Sequence, residues 1–344
     1  MNIRQIYELA IDLGIKSDFR PKERINKQLK RIKEKYKKLS KDEKTLFDVE
    51  KLTSPYIDSR IHFDNGAKNI RRVMAGIDID SAEILAARYL SDKDPKKPID
   101  LIIAHHPIGK GLADLSEVMH LQADVLAGYG VPINIAESVL KTKISEVSRS
   151  VNPINHFKAV DTARLLGISL MNVHTPADNL VAHFVEKKIR KDKPEYVGDV
   201  LKSLLEISEY KEAAKRGFGP VLFTGSEDNR VGKIVITEIT GGTEGSPKIY
   251  EKMSQAGIGT VISMHQSEEH RKEAEKAHIN VVIAGHISSD SIGMNLLLDE
   301  LEKRGIEIMP CSGLIRISRV KSKIKMKNDK SKFKKNKIML KLSF

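Results

Sequence analysis

Short, nearly uninterrupted apolar runs alternate along the middle of the chain with longer segments whose apolar residues recur at helical spacing. RVMAGIDI (72–79) leads into SAEILAARYL (81–90) and then IDLIIAHH (99–106); GTVISMH (259–265) leads into SEEHRKEAEKA (267–277) and INVVIAGH (279–286). The pattern predicts an α/β fold built on parallel βαβ units. Laying residues 100–106 over residues 280–286 sets Ala104 over Ala284 and His106 over His286, which a duplicated βαβ unit explains. A third run, GISLMNVHTPADNL (167–180), again ends in a histidine, His174, and then reaches Asp178. Parallel strands in such units deliver their C-terminal ends to one side of the sheet, where ligands bind.

The ends of the chain read differently. NKQLKRIKEKYKKLSKDEKTLF (26–47) interleaves charges with good helix formers and predicts a mostly exposed helix in a basic N-terminal extension, residues 1–59. Residues 319–344 lack turn signals, have few apolar positions, and are expected to form a disordered basic tail that could touch an anionic surface. The domain between them spans residues 60–318. Net charge follows this division: of the formal +13, residues 1–50 carry 14 basic against 9 acidic and residues 319–344 carry 11 against 1, leaving −2 for the middle. The core therefore offers no charge argument for nucleic acid. No apolar run approaches the length of a membrane span, and the start MNIRQIYELAIDLG is charged and amphipathic rather than signal-like, so a cytoplasmic protein without membrane attachment is expected. The single cysteine, Cys311, excludes an intrachain disulfide framework and a thiolate-rich zinc site.

A metal here must then use imidazole and carboxylate. Past the end of its strand the pair His105–His106 is free of the strict alternation of faces, and Pro107 holds His106 in extended geometry. Two such imidazoles can serve one metal or split between two. In AGHISSDSIG, Asp290 admits two readings: Ser289 or Asp290 caps the helix that follows, or Asp290 turns with His286 toward a metal. With Asp178 these residues amount to five nitrogen and oxygen ligands suited to Zn, Mn, Fe, Co or Ni. His265 and His174, at strand ends on the same side, are candidates for proton transfer. Asp78 and Asp80 read as helix caps, and His120, His183, His270 and His278 as packed or solvated residues. KIVITEITGGTEGSPKIYEKM (233–253) reads as a strand, a glycine-rich turn that could cradle an anion, and a helix capped by Ser246.

DLIIAHHP, NVHTPADNL and VVIAGHISSDSIGMNLL, in this order, resemble the Nif-three-like family of dinuclear metal proteins, also known as GTP cyclohydrolase type one, second-type proteins. The resemblance covers residues 60–318. It implies a duplicated α/β fold, ring-shaped homohexamers built from dimers, and two divalent metal ions held by His105, His106, Asp178 and His286. The fifth ligand of the family, a glutamate four residues after the last histidine, falls on Asp290, one methylene shorter; Glu268 or Glu269 could compensate. The activity so implied is a metal-dependent hydrolase acting on a small molecule, such as a nucleotide or a phosphate-bearing compound. The rival is a metal store or a ring-shaped interaction protein.

Overall fold

A computed structural model of the chain describes residues 1–320; the predicted tail lies almost wholly outside the described residues. Among the described residues nine strands form two sheets: β1 (Arg60–Phe63), β2 (Arg72–Gly76), β3 (Leu101–Ala104), β4 (Ser169–Asn172), β5 (Val221–Thr224), β6 (Lys233–Ile236), β7 (Ile258–Ser263), β8 (Asn280–Ile283) and β9 (Glu307–Cys311). The first sheet has the order β1-β4-β3-β2-β9 and the second β5-β8-β7-β6. In each, the leading strand lies antiparallel on one edge while the next three run parallel. The duplicated α/β architecture is therefore present, with helices between the parallel strands as their crossovers require.

The correspondence of the two halves differs from the one read in the sequence. Topology sets β3 against β7 and β4 against β8, so His286 matches His174 and Asp290 matches Asp178, rather than His286 matching His106. The sequence overlay paired β3 with β8. Both are buried parallel strands, and burial on two faces asks only for a run of Val, Ile, Leu or Ala.

After β9 the symmetry ends. This strand follows the second half yet joins the first sheet, parallel to β2, with Ala75 opposite Pro310. Proline lacks a ladder donor and is tolerated because β9 is an edge.

Two helices continue β4 and β8: Thr175–Asp192 and His286–Glu302. Val181, Ala182 and Val185 of the first join the core of the second sheet, with Ile236, Ile262 and Val282. Met294, Leu297, Leu298 and Leu301 of the other join the core of the first sheet, with Val73, Leu101 and Ile103. The halves are interlocked by this exchange. The helices meet where Gly293 faces Ala177: a Cβ on Gly293 would lie 2.2 Å from the Ala177 carbonyl oxygen. The N-terminal helix Ile3–Ser17 inserts Ile3, Ile6, Tyr7 and Ala10 into the core of the first sheet, whereas the basic helix Lys22–Lys38 buries only Ile25.

Candidate metal centre

Five parallel strands end beside one point. Asp78 follows β2, His105 and His106 follow β3, His174 follows β4, His265 follows β7 and His286 follows β8. Asp178 and Asp290 lie one helical turn beyond His174 and His286, so each half contributes a histidine and an aspartate at i and i+4 on one helix face. The close approach at Gly293 allows the two carboxylates to face the same imidazole. His105 Nε2 is 3.4 Å from Asp178 Oδ1 and 3.4 Å from Asp290 Oδ1. The other Asp290 oxygen is 3.4 Å from His106 Nε2 and 3.5 Å from His286 Nε2, and those two nitrogens are 3.3 Å apart.

Asp290 does not cap its helix. That helix starts at His286, five residues earlier than a cap at Asp290 requires, because Gly285 takes φ 105°, a conformation open to glycine, and turns the chain straight from strand to helix. Asp290 is fully buried within the helix, and neither of its oxygens has a hydrogen-bond partner. His105 Nε2 and Asp178 Oδ1 are buried and unpartnered in the same way. Buried polar atoms without partners cost about 1–3 kcal/mol each, and four aimed at one point make a place that could hold a cation.

The imidazoles are oriented for that role. His105 Nδ1 donates to the Val173 carbonyl at 3.0 Å, His174 Nδ1 to Asp58 at 2.8 Å and His106 Nδ1 to Asp78 at 2.7 Å. A carbonyl only accepts, so the His105 proton sits on Nδ1 and its Nε2 lone pair faces the carboxylates; the carboxylate partners favour the same tautomer at His174 and His106. Among the described residues, two groups of side chains bring their ligand atoms within 4.8 Å of one another and could hold a metal ion: His105, His174 and Asp178, and His105, His106 and Asp290. All seven predicted residues thus converge, with His265 at the rim, its ring 4.6 Å from that of His286. His174, expected to move protons or to orient the loop that carries Asp178 rather than to bind metal, sits within ligand distance.

Charge is divided unevenly. Burial raises the Asp178 carboxyl well above its usual value, and the nearby Asp290 and Asp58 carboxylates add to the effect. Burial would raise Asp290 as well, but His105, His106 and His286 hold it well below the usual range. Burial would lower His106, yet Asp290 and Asp78 outweigh it and push it up to about 9. His286 is pulled down to about 4, chiefly by burial.

Asp58 escaped the sequence reading. It lies in the irregular segment before β1, fully buried, and accepts from His174 and from Thr175 Oγ1 at 2.6 Å. No periodicity marks it. Asp78 was read as a cap; the cap is Asp80, whose side chain meets the Ser81 N–H while Glu83 reaches back to it. Ser246 is likewise no helix cap, since the helix after the glycine-rich turn starts at Ile249. That turn lies over the centre, where Thr240, Gly242 and Thr243 line a cleft with His174, Asp178, Glu238, Met264, His265 and His286.

No model of a known protein family matches the sequence, and no curated protein matches it. Among solved structures, a NIF3 superfamily protein from Sphaerobacter thermophilus superposes with a TM-score of 0.71 at 23% identity, covering 91% of this chain and 99% of that one. Reduced HcgD from Methanocaldococcus jannaschii aligns with a TM-score of 0.43 at 16% identity over 71% of this chain and 84% of that one. For a Bacillus cereus protein related to NIF3 the values are 0.38, 12%, 77% and 92%. These two superpositions are too loose to carry an argument. The first shows that the chain shares the fold of that NIF3 superfamily protein over 91% of its length.

Proposed function

We propose that the centre holds two divalent cations and that the protein is a metal-dependent hydrolase of a small molecule, such as a nucleotide or another phosphate-bearing compound. The observation that carries the reading is the Asp290 carboxylate: buried, unpartnered, one oxygen turned to His105 and the other to His106 and His286. In this reading His105, Asp178 and His174 would hold one ion and His106 and His286 the other, with Asp290 within reach of both. Aspartate at this place reaches both sides without the extra methylene of glutamate, and Glu268 and Glu269 start a separate helix. Such a pair supplies Lewis acidity and lowers the pKa of coordinated water.

The chain's own residues do the rest. Val173, Asp58 and Asp78 fix the imidazoles, and the Thr240–Thr243 turn with Met264 narrows the approach. His265, with its side chain 35% exposed beside His286, is placed to exchange protons between substrate and solvent. A metal store has no need of an open side, so the 40% exposure of the His286 side chain favours catalysis over storage or a purely regulatory ring. Assembly as a ring-shaped homohexamer rests on the family resemblance alone; sedimentation showing only monomer at micromolar concentration would remove it.

The test is metal stoichiometry per chain by elemental analysis, with hydrolysis of nucleotides, phosphoesters and peptides assayed with and without chelator. Two ions in the wild type, one or none in Asp290→Asn, and depletion in His105→Ala and His286→Ala are expected. Unchanged stoichiometry in Asp290→Asn removes it as a ligand; metal without chelator-sensitive turnover of any substrate supports the storage reading.

A further inference from the structure

The helix Lys22–Lys38 carries nine lysines and arginines and two glutamates, and every one of the nine is exposed. On other helices many cations are answered one turn away, as Arg271 by Glu268 and Glu275, Lys276 by Glu273, Arg216 by Glu212 and Arg88 by Asp92, and those unanswered among the described residues, such as Lys187, Lys211 and Lys272, are scattered rather than gathered on one helix. Of the nine, only Arg24 meets a carboxylate among the described residues, that of Asp124. Like charges one turn apart cost a helix a few tenths of a kcal/mol per pair, and only Ile25 is fully buried to offset it.

We infer that this helix is a docking surface for the phosphate backbone of double-stranded nucleic acid. The inference stands apart from the metal centre. Charge complementarity carries it: at 1.5 Å per residue the helix is about 25 Å long, the span of about seven base pairs of duplex, whose phosphates it can meet with a continuous row of cations. An anionic bilayer fits less well, because interfacial helices present an apolar face. Here the apolar seam is spent internally, with Ile25 buried, Leu29 and Ile32 half-buried, and Tyr36 against Phe47 at 4.9 Å between ring centroids. Lysines reading phosphate carry no base information, so binding is expected without sequence preference.

The test uses the full chain and a labelled duplex of arbitrary sequence, followed by fluorescence anisotropy from low to high salt. Lys27, Lys30, Arg31 and Lys35 are changed together to Gln, and in a second variant Lys is exchanged for Arg and Arg for Lys at the same positions. The Gln variant should bind at least about tenfold more weakly, and its slope of log affinity against log salt should shrink by about 3 to 4, while the charge-preserving variant binds as wild type. Circular dichroism and metal content should be unchanged in both. Equal affinity and slope in the Gln variant overturns the inference, since binding then resides elsewhere, as in residues 321–344. Binding to phosphatidylserine vesicles but not to duplex overturns it in favour of a membrane.

Discussion

His105, His106 and His174, in the first half, each spend Nδ1 on an acceptor from that half, whereas His265 and His286, in the second, have no hydrogen-bonding acceptor at Nδ1 among the described residues and stand partly exposed. The strands that deliver them are topological equivalents. Duplication therefore supplied one scaffold twice, and the two copies diverged in their supporting residues: one half holds its imidazoles rigidly, and the other leaves them facing the cleft. Anchored ligands favour cation affinity, while partly exposed ones at the rim suit substrate and proton exchange.

The contrast can be broken most severely where the halves touch. Gly293→Ala would drive a methyl against the Ala177 backbone, which cannot rotate away, so the helices must separate. A loss of about 3 kcal/mol, near the upper end for overpacking, is expected in thermal unfolding, together with reduced metal content because Asp178 and Asp290 part. A stable variant with full metal content would show that the two carboxylates need not be held together.

Asp58→Asn should come next. It keeps the volume but weakens the acceptor of His174 and Thr175, and about 10- to 100-fold in metal affinity is expected from removing such a partner. Competition titration with a chelating dye reads it directly; no change would mean that the rigid support of the first half is incidental.

Proton release separates the halves more finely. His106, near 9 without a cation, carries a proton at neutral pH that an arriving cation must displace, whereas His286, near 4, carries none. Affinity should therefore rise with pH and level off near 9, with a proton released from His106 on loading at pH 7, measurable with an indicator dye. In His106→Ala that proton should vanish; in His286→Ala it should persist.

The smallest effect is expected at His265→Ala, which should leave metal stoichiometry intact and lower turnover about 10²-fold or more if it moves protons. Depleted metal there would make the rim a ligand and close the second half.

Much of this was legible because the chemistry sits at strand ends. IIAHHP, HTPAD and GHISSD announce histidines after buried runs, and the i, i+4 spacing of His174 to Asp178 and His286 to Asp290 becomes visible once each helix is placed. What misled was degeneracy. Buried strands resemble one another, so the overlay chose β3 over β4 as the partner of β8; sheet order is settled by long-range pairing, which local sequence does not encode. The role of Asp290 turned on one backbone angle, at Gly285, and that of Asp58 on a contact with a residue 116 positions away.

The placement of β9 bears on how the molecule is made. Until Glu307–Cys311 leave the ribosome, β2 presents an open edge beside β3, and the helix whose Met294 and Leu297 cover the first sheet is also still to come. The half synthesised first is thus completed last. A nascent chain must protect that edge through the synthesis of more than two hundred further residues, counted from β2 at Arg72–Gly76 to β9, during which an unpaired strand invites pairing with a neighbouring chain.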